Sequence, residues 1–186
     1  YGLMASIYAE EILGIASPQI GILNVGSEEE KGTDLTRATR KLFEESPSAS
    51  RFLGNVEGRD IYEGNVRVVI CDGFVGNVLL KAGEGAVEFL FASLKEEFAR
   101  LLPEFPPEVA MKIAGSLKSL KTRFEYEEFG GAPLLGIRGA CIICHGSSKA
   151  RAIKNALRVA DLMAADRING KIVDQLGATL GDSPKS

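Results

Sequence analysis

Short apolar runs that end in turn residues alternate along this chain with segments of helical periodicity. That alternation restricts the fold more than any other feature. "QIGILNVG" is a brief apolar run with turn residues behind it and reads as a buried strand; "RFLGNVEGRD" holds a second short strand and a turn. "VRVVIC", rich in β-branched residues and stopped by "DGFVGN", is the clearest strand, and "ACIICHG" reads as a further buried one. Ahead of them, Leu3, Met4, Ile7, Tyr8 and Ile12 recur at helical spacing until Gly14 and Pro18 end the pattern. "TDLTRATRKLFEES" predicts a helix with Thr33 as its N-cap. A long helix is expected from about Asn77 to Leu102, weakened at its start by Gly83 and Gly85, and "PEFPPE" separates it from a second helix through "VAMKIAGSLKSLK". "FEYEEFGGAPLLGIRG" is irregular and glycine-rich, and a last helix is predicted from Ser147 to about Leu176. Strands alternating with helices imply an α/β architecture, a mainly parallel sheet flanked by helices. The tail "GDSPKS", 181–186, is expected to be disordered.

Composition narrows the function classes. The 186 residues are 45% hydrophobic and 25% charged with a net charge of -3, enough for one domain with a real core and without the basic footprint that nucleic acid requires. Three cysteines make no disulfide framework and nothing resembles a signal peptide, so a reducing cytoplasm is expected. No apolar run reaches the roughly 20 residues that span a bilayer. The chain opens at Tyr1 without a Met and already in helical register, which reads as a piece of a longer protein.

Cys141, Cys144 and His145 have the C-x-x-C-H spacing of a c-type haem attachment. In a strand, however, residues three apart face opposite sides, so the two thiols do not converge on one haem or one metal. They read as small apolar core residues. His145 differs, because Gly146, Ser147 and Ser148 follow it at a helix start. Free N–H groups, hydroxyls and the positive end of a helix dipole suit an anion there, although the serines can equally serve as helix caps.

Three other strand ends share that character. Asn24, Gly26, Lys31 and Gly32 follow the first strand, and Asn55, Glu57, Arg59 and Asp60 follow the second. Asp72, Gly73, Gly76, Asn77 and Lys81 follow the third. Glycine lets backbone approach a ligand, and asparagine and lysine donate to oxyanions. Each loop alone is as easily a turn; four of them at successive strand ends predict a shared anionic site, in the region where open α/β sheets bind ligands.

"GILNVGSEEEKGTDLT", "FLGNVEGRDI", "CDGFVGNVLLK", "YEEFGGAPLLGI" and "HGSS" resemble, in order and spacing, the motifs of the PlsX family of phosphate acyltransferases in bacterial phospholipid and fatty acid synthesis. The resemblance covers essentially the whole chain. It implies a fold like that of phosphotransacetylases and of isocitrate and isopropylmalate dehydrogenases, two α/β domains around a cleft, usually as a homodimer. Residues 1–186 would be its C-terminal part, with the N-terminal half absent. It implies conversion of acyl-[acyl carrier protein] and inorganic phosphate to acyl phosphate and free carrier protein. No cofactor and no metal are implied. Carried over, the family's loop residues fall on Asn24, Gly26, Lys31 and Gly32, on Asn55 and Glu57, on Asp72, Gly73, Phe74, Gly76, Asn77 and Lys81, and on His145, Gly146, Ser147 and Ser148. Lys149, where an acidic residue often stands, and Cys71, where a hydroxyl residue is common, depart from the pattern.

On that reading Lys31 and Lys81 pair with charge, Asn55, Asn77 and the 146–148 backbone hold phosphate or the oxyanion, and His145 moves a proton or donates to phosphate. Asp72 belongs to the same catalytic set. Cys71 as an acyl-accepting nucleophile is a minor alternative. The stripe Val87, Leu90, Phe91, Leu94, Phe98 and Leu101 suits core or dimer packing. Leu102 and Phe105 at the proline-rich tip, beside Lys112, Lys118, Lys121 and Arg123, form an expected contact for a membrane surface or the acidic carrier protein. The competing functions are a short-chain phosphotransacetylase acting on acyl-CoA and a non-catalytic membrane or carrier-protein docking module.

Overall fold

The computed structural model describes residues 1–46, 48–122, 124, 131–146 and 148–181. Strands β1 (Ile20–Leu23), β2 (Phe52–Val56) and β3 (Val68–Ile70) form a parallel sheet in the order β2-β1-β3. β1 is central and buried on both faces, so Ile20 and Ile22 are almost wholly hidden from solvent. Gly21 lies between them because Val56 already fills the space beside it: a Cβ there would sit 2.5 and 2.7 Å from the two Val56 methyls.

Helix α1 (Gly2–Glu11) is buried on two sides. Ala9 packs with Ile20 and Val68 against the sheet, while Ile7 packs with Val159, Met163, Ile168 and Ile172 from α6 (Ala150–Ala165) and α7 (Ile168–Gly181). Glu10 pairs with Arg51 at 2.6 Å and Glu11 with Lys171 at 2.5 Å, fastening the same helix at its end. Helix α2 (Asp34–Glu44) begins at Thr33 as expected, with Thr33 Oγ1 accepting from the Thr36 amide at 3.3 Å. A short helix α3 (Gly58–Glu63) occupies what reads in sequence as a turn.

Three expectations are corrected. The helix expected from Asn77 starts at Gly73: α4 (Gly73–Leu101) absorbs the whole Asp-Gly-Phe motif because Asp72 caps it. "ACIICHG" is not a buried strand of the main sheet. Its paired residues are β5 (Ile142–Ile143), antiparallel to β4 (Ala132–Pro133) in a separate two-stranded sheet. Gly136 and Gly139, both at positive φ, turn the intervening chain back on itself, and such a local hairpin forms without the long crossover that parallel pairing demands. Cys141 is therefore exposed and Cys144 half-buried, not core residues. The single terminal helix is in fact two, broken at Arg167, which adopts a left-handed φ of 50°. Residues 182–186 of the expected tail lie outside the described residues, and Gly181 ends α7.

A single turn of 3-10 helix, Leu102–Glu104, joins α4 to α5 (Pro107–Thr122). Neither helix contains a buried residue. Among the described residues no helix is long and apolar enough to cross a membrane.

Replacing Gly21 with Ala should destabilise the fold by about 1–3 kcal/mol, the usual cost of overpacking. A lower urea midpoint at unchanged slope is the expected reading. Adding Val56→Ala should recover part of the loss; no recovery would show that the β1–β2 contact is not what constrains position 21.

Candidate active site

The parallel register sets where the loops leave the sheet. Leu23 pairs with Val56, so the loops after β1 and β2 emerge side by side and become one unit. Asn55, 7% exposed, donates from Nδ2 to the Glu28 carbonyl at 2.6 Å. Asn24 donates to the Lys31 carbonyl at 3.0 Å and accepts from the Val25 amide at 2.8 Å. Gly32, at φ 97°, lies against this Asn24 amide, whose atoms come within 2.6 and 2.8 Å of where a Cβ would be. The side-chain amides of Asn24 and Asn55 thus brace the loop. Lys31 is exposed on it, and Gly26 is buried beneath it. Glu57 caps α3 in a reciprocal capping box: its carboxylate accepts from the Asp60 amide, and Asp60 Oδ2 accepts from the Glu57 amide at 2.7 Å.

After β3, Asp72 Oδ1 accepts from the amides of Phe74 and Val75, both at 3.0 Å. A carboxylate at a helix N-terminus also complements the helix dipole, so Asp72 acts on α4 and not as an uncommitted base. Gly73 is open to solvent, Asn77 is exposed one turn on, and a Cβ at Gly76 would lie 2.9 Å from Cys71 Sγ. The Cys71 thiol is pushed above its ordinary pKa, first by partial burial and then by the neighbouring Asp72 carboxylate. That disfavours the thiolate a nucleophile would need. Lys81 pairs with Glu84 at 2.7 Å, both about half exposed, a contact of the kind that contributes little in water and yields to a better anion.

After β5, the His145 carbonyl accepts from the Ser148 amide at 2.9 Å, making a tight turn. Gly146 carries it, with nothing within 4 Å of a Cβ position. Ser147 lies outside the described residues. α6 begins three residues later than expected, at Ala150, with Lys149 at its N-cap and no side-chain capping bond.

One groove of about 1010 Å³ unites the third and fourth loops. Cys71, Gly76 and Lys81 line it together with His145 and Lys149. Asn24, Gly26, Lys31, Gly32, Asn55 and Glu57 do not line it, and neither do Asp72, Gly73, Asn77, Gly146 and Ser148, so the four loops do not converge on this one cavity. Sequence reasoning missed Tyr62, Val87 and Phe124 in its walls. A glycine at 83, inside a helix where it is disfavoured, was the available signal for them.

At the far end of α4, Leu102 is half-buried and Phe105 is 44% exposed. Lys112 pairs with Glu108 at 3.0 Å, one acid that the basic stretch does not itself contain. Lys118 is exposed; Lys121, at the other end of α5, lines the groove with Phe124 and not the tip, and Arg123 lies outside the described residues.

A family model described as "Fatty acid synthesis protein" matches residues 1–171. Among similar proteins, a phosphate acyltransferase of Desulforamulus reducens is 49% identical over 160 residues, 86% of this chain and 46% of that protein. One from Heliobacterium modesticaldum is 51% identical over 157 residues, 84% of this chain and 46% of its own. One from Dictyoglomus turgidum is 44% identical over 176 residues, 95% of this chain and 52% of its own. The chain spans about half the length of the curated relatives it matches. With the family model covering nearly the whole sequence, and the motifs of the phosphate acyltransferases present in order, the chain belongs to the fatty acid synthesis protein family of PlsX-type phosphate acyltransferases.

Proposed function

We propose that the protein containing this chain transfers an acyl group from acyl carrier protein to inorganic phosphate, yielding acyl phosphate and free carrier protein. The observation that carries this reading is the groove in which Lys81, Lys121, His145 and Lys149 share walls with Glu84, Glu88 and apolar side chains. An anion and an acyl group need such neighbours at one site. The names of the similar proteins support it. A phosphate oxygen attacks the thioester carbonyl carbon, the C–S bond breaks, and the phosphate's proton passes to the departing thiolate. Phosphate is the nucleophile and the thioester is already activated, so the protein's task is to hold the two together and stabilise the oxyanion. Lys81 and Lys149 supply charge, the Gly146 amide supplies an N–H donor, and His145 relays the proton. Lys31, exposed on the neighbouring loop, meets the carrier protein or the phosphate from outside the groove.

On the same reading the fold is of the phosphotransacetylase and isocitrate/isopropylmalate dehydrogenase type, and a homodimer forms through the unburied faces of α4 and α5. The protein works in the cytoplasm, with Leu102 and Phe105 at the α4–α5 tip resting on the membrane surface and Lys112 and Lys118 following on α5. A docking module without catalysis is the second reading, favoured by the absence of any buried residue in α4 and α5.

Incubation of the full gene product with phosphate and an acyl-[acyl carrier protein], trapping with hydroxylamine, should yield a hydroxamate that requires both substrates. Product from acyl-CoA alone would favour a short-chain phosphotransacetylase, and carrier binding without product the docking module. His145→Ala should lower turnover by about 10²-fold, the ordinary contribution of a proton-transfer group, with an unchanged melting temperature; wild-type turnover would remove His145 from the mechanism. Cys71→Ser should remain active, because the thiol is held protonated at neutral pH; an inactive, folded variant would restore it as a nucleophile. Leu102→Ser with Phe105→Ser should weaken sedimentation with anionic liposomes, and undiminished binding would make the tip purely structural.

A further inference from the structure

We infer that the exposed face of α6 is where the acidic carrier protein docks to present its acyl thioester to the groove. The inference deepens, and rests on, the acyl-transfer reading. Lys149, which lines the groove, is the N-cap of α6. From there to Arg158 the sequence "KARAIKNALR" holds four cations and no acid. The chain as a whole carries a net charge of -3, so this run concentrates charge of the opposite sign in one place. Arg151, Lys154 and Arg158 are exposed, and their spacing of three and four residues makes them one stripe along the helix. The basic face extends about 14 Å from the groove, and the exposed acid Asp161, one turn further on, ends it.

Helix physics gives no reason for cations here. The N-terminus of a helix is the positive end of its dipole and favours acids, yet α6 has none in its first turn and no side-chain capping bond at Lys149. An acidic partner supplies the negative charge that the helix itself lacks. Beside the basic stripe, Ile153 and Leu157, four residues apart, are 43% and 67% exposed. They form an apolar strip of the kind found at the centre of a protein interface, with the charges at its rim. A membrane fits this face less well. The wide apolar side of α6 is buried, with Val159 and Met163 packed on Ile7 of α1, leaving a narrow strip where lipid needs a broad face. A carrier docked on the outer face holds its tethered thioester beside Lys149 and His145 in the groove wall.

The test compares Lys154→Glu with Lys41→Glu, an equal charge reversal on α2, in the full gene product. Arg158 also acts electrostatically on Tyr8 of α1, which makes Lys154 the cleaner position. In Lys154→Glu the KM for acyl-[acyl carrier protein] should rise about tenfold, while kcat and the KM for inorganic phosphate hold. Lys154→Arg should restore wild-type behaviour, and Lys41→Glu should change nothing. An unchanged KM in folded Lys154→Glu overturns the docking face and leaves acyl transfer standing. Should Lys154→Glu not fold, Lys154→Ala must move KM the same way, and an unmoved KM is equally fatal. Titration with carrier protein free of its acyl group reads docking without turnover; affinity should fall with salt, and less steeply in Lys154→Glu. If the wild type makes no acyl phosphate, the acyl-transfer reading fails, and the docking face survives only if the wild type binds carrier protein and Lys154→Glu alone loses it. Equal binding by all three proteins, or a loss confined to anionic vesicles or duplex DNA, overturns it too.

Discussion

The close approach of β1 to β2 at Gly21 and Val56 governs the geometry of everything downstream. With no side chain at 21, the two strands pair in a register that sets Leu23 opposite Val56, and their loops leave the sheet together. The same strand pairs on its other edge with β3, which aims Cys71, Asp72 and the start of α4 toward the groove. A parallel three-stranded sheet this narrow cannot cover itself; α1 does so by packing on it with Ala9 and on the terminal helices with Ile7.

Polar residues in the strand-end loops divide between building and binding. Asn24, Asn55, Glu57 and Asp72 all have chemistry suited to a ligand, yet each is engaged with backbone a few residues away or in the adjoining loop. Leaving buried Asn55 unpaired would cost more than its hydrogen bond contributes in net stability, and the half-buried Asn24 and Glu57 and the exposed Asp72 brace their own segments by the same kind of bond. The cations are different. Lys81 and Lys149 sit at the surface of the groove, held by nothing stronger than an exposed ion pair in the first case.

Much of the main sheet was legible because its signals are local. Thr33 caps α2, β-branched "VRVV" makes a strand, and Gly14 lies just past α1. The misreadings share one physical origin: short patterns do not reveal depth or partner. Asp-Gly-Phe looks like a turn, and it is equally a capped first helical turn; only the Asp72 bonds decide. "CIIC" is apolar enough for a core strand, but a nearby hairpin partner captured it. The break at Arg167 carries no glycine or proline to announce it. For the site, Gly76, Lys81 and His145 were singled out from their loops, but their meeting in one groove was not legible, since Tyr62 and Phe124 reach it from elements whose placement no spacing encodes.

The two-sided packing of α1 also bears on how the chain is made. Its Ile7 face is covered by Val159, Met163, Ile168 and Ile172, which lie near the opposite end of the sequence. On a ribosome, that face emerges well before those partners and waits uncovered until they have been translated. Contacts so distant along the chain slow folding, and exposed apolar surface in the interval invites self-association. The helix that ties the fold together is thus a segment that a nascent-chain chaperone would be called on to shield.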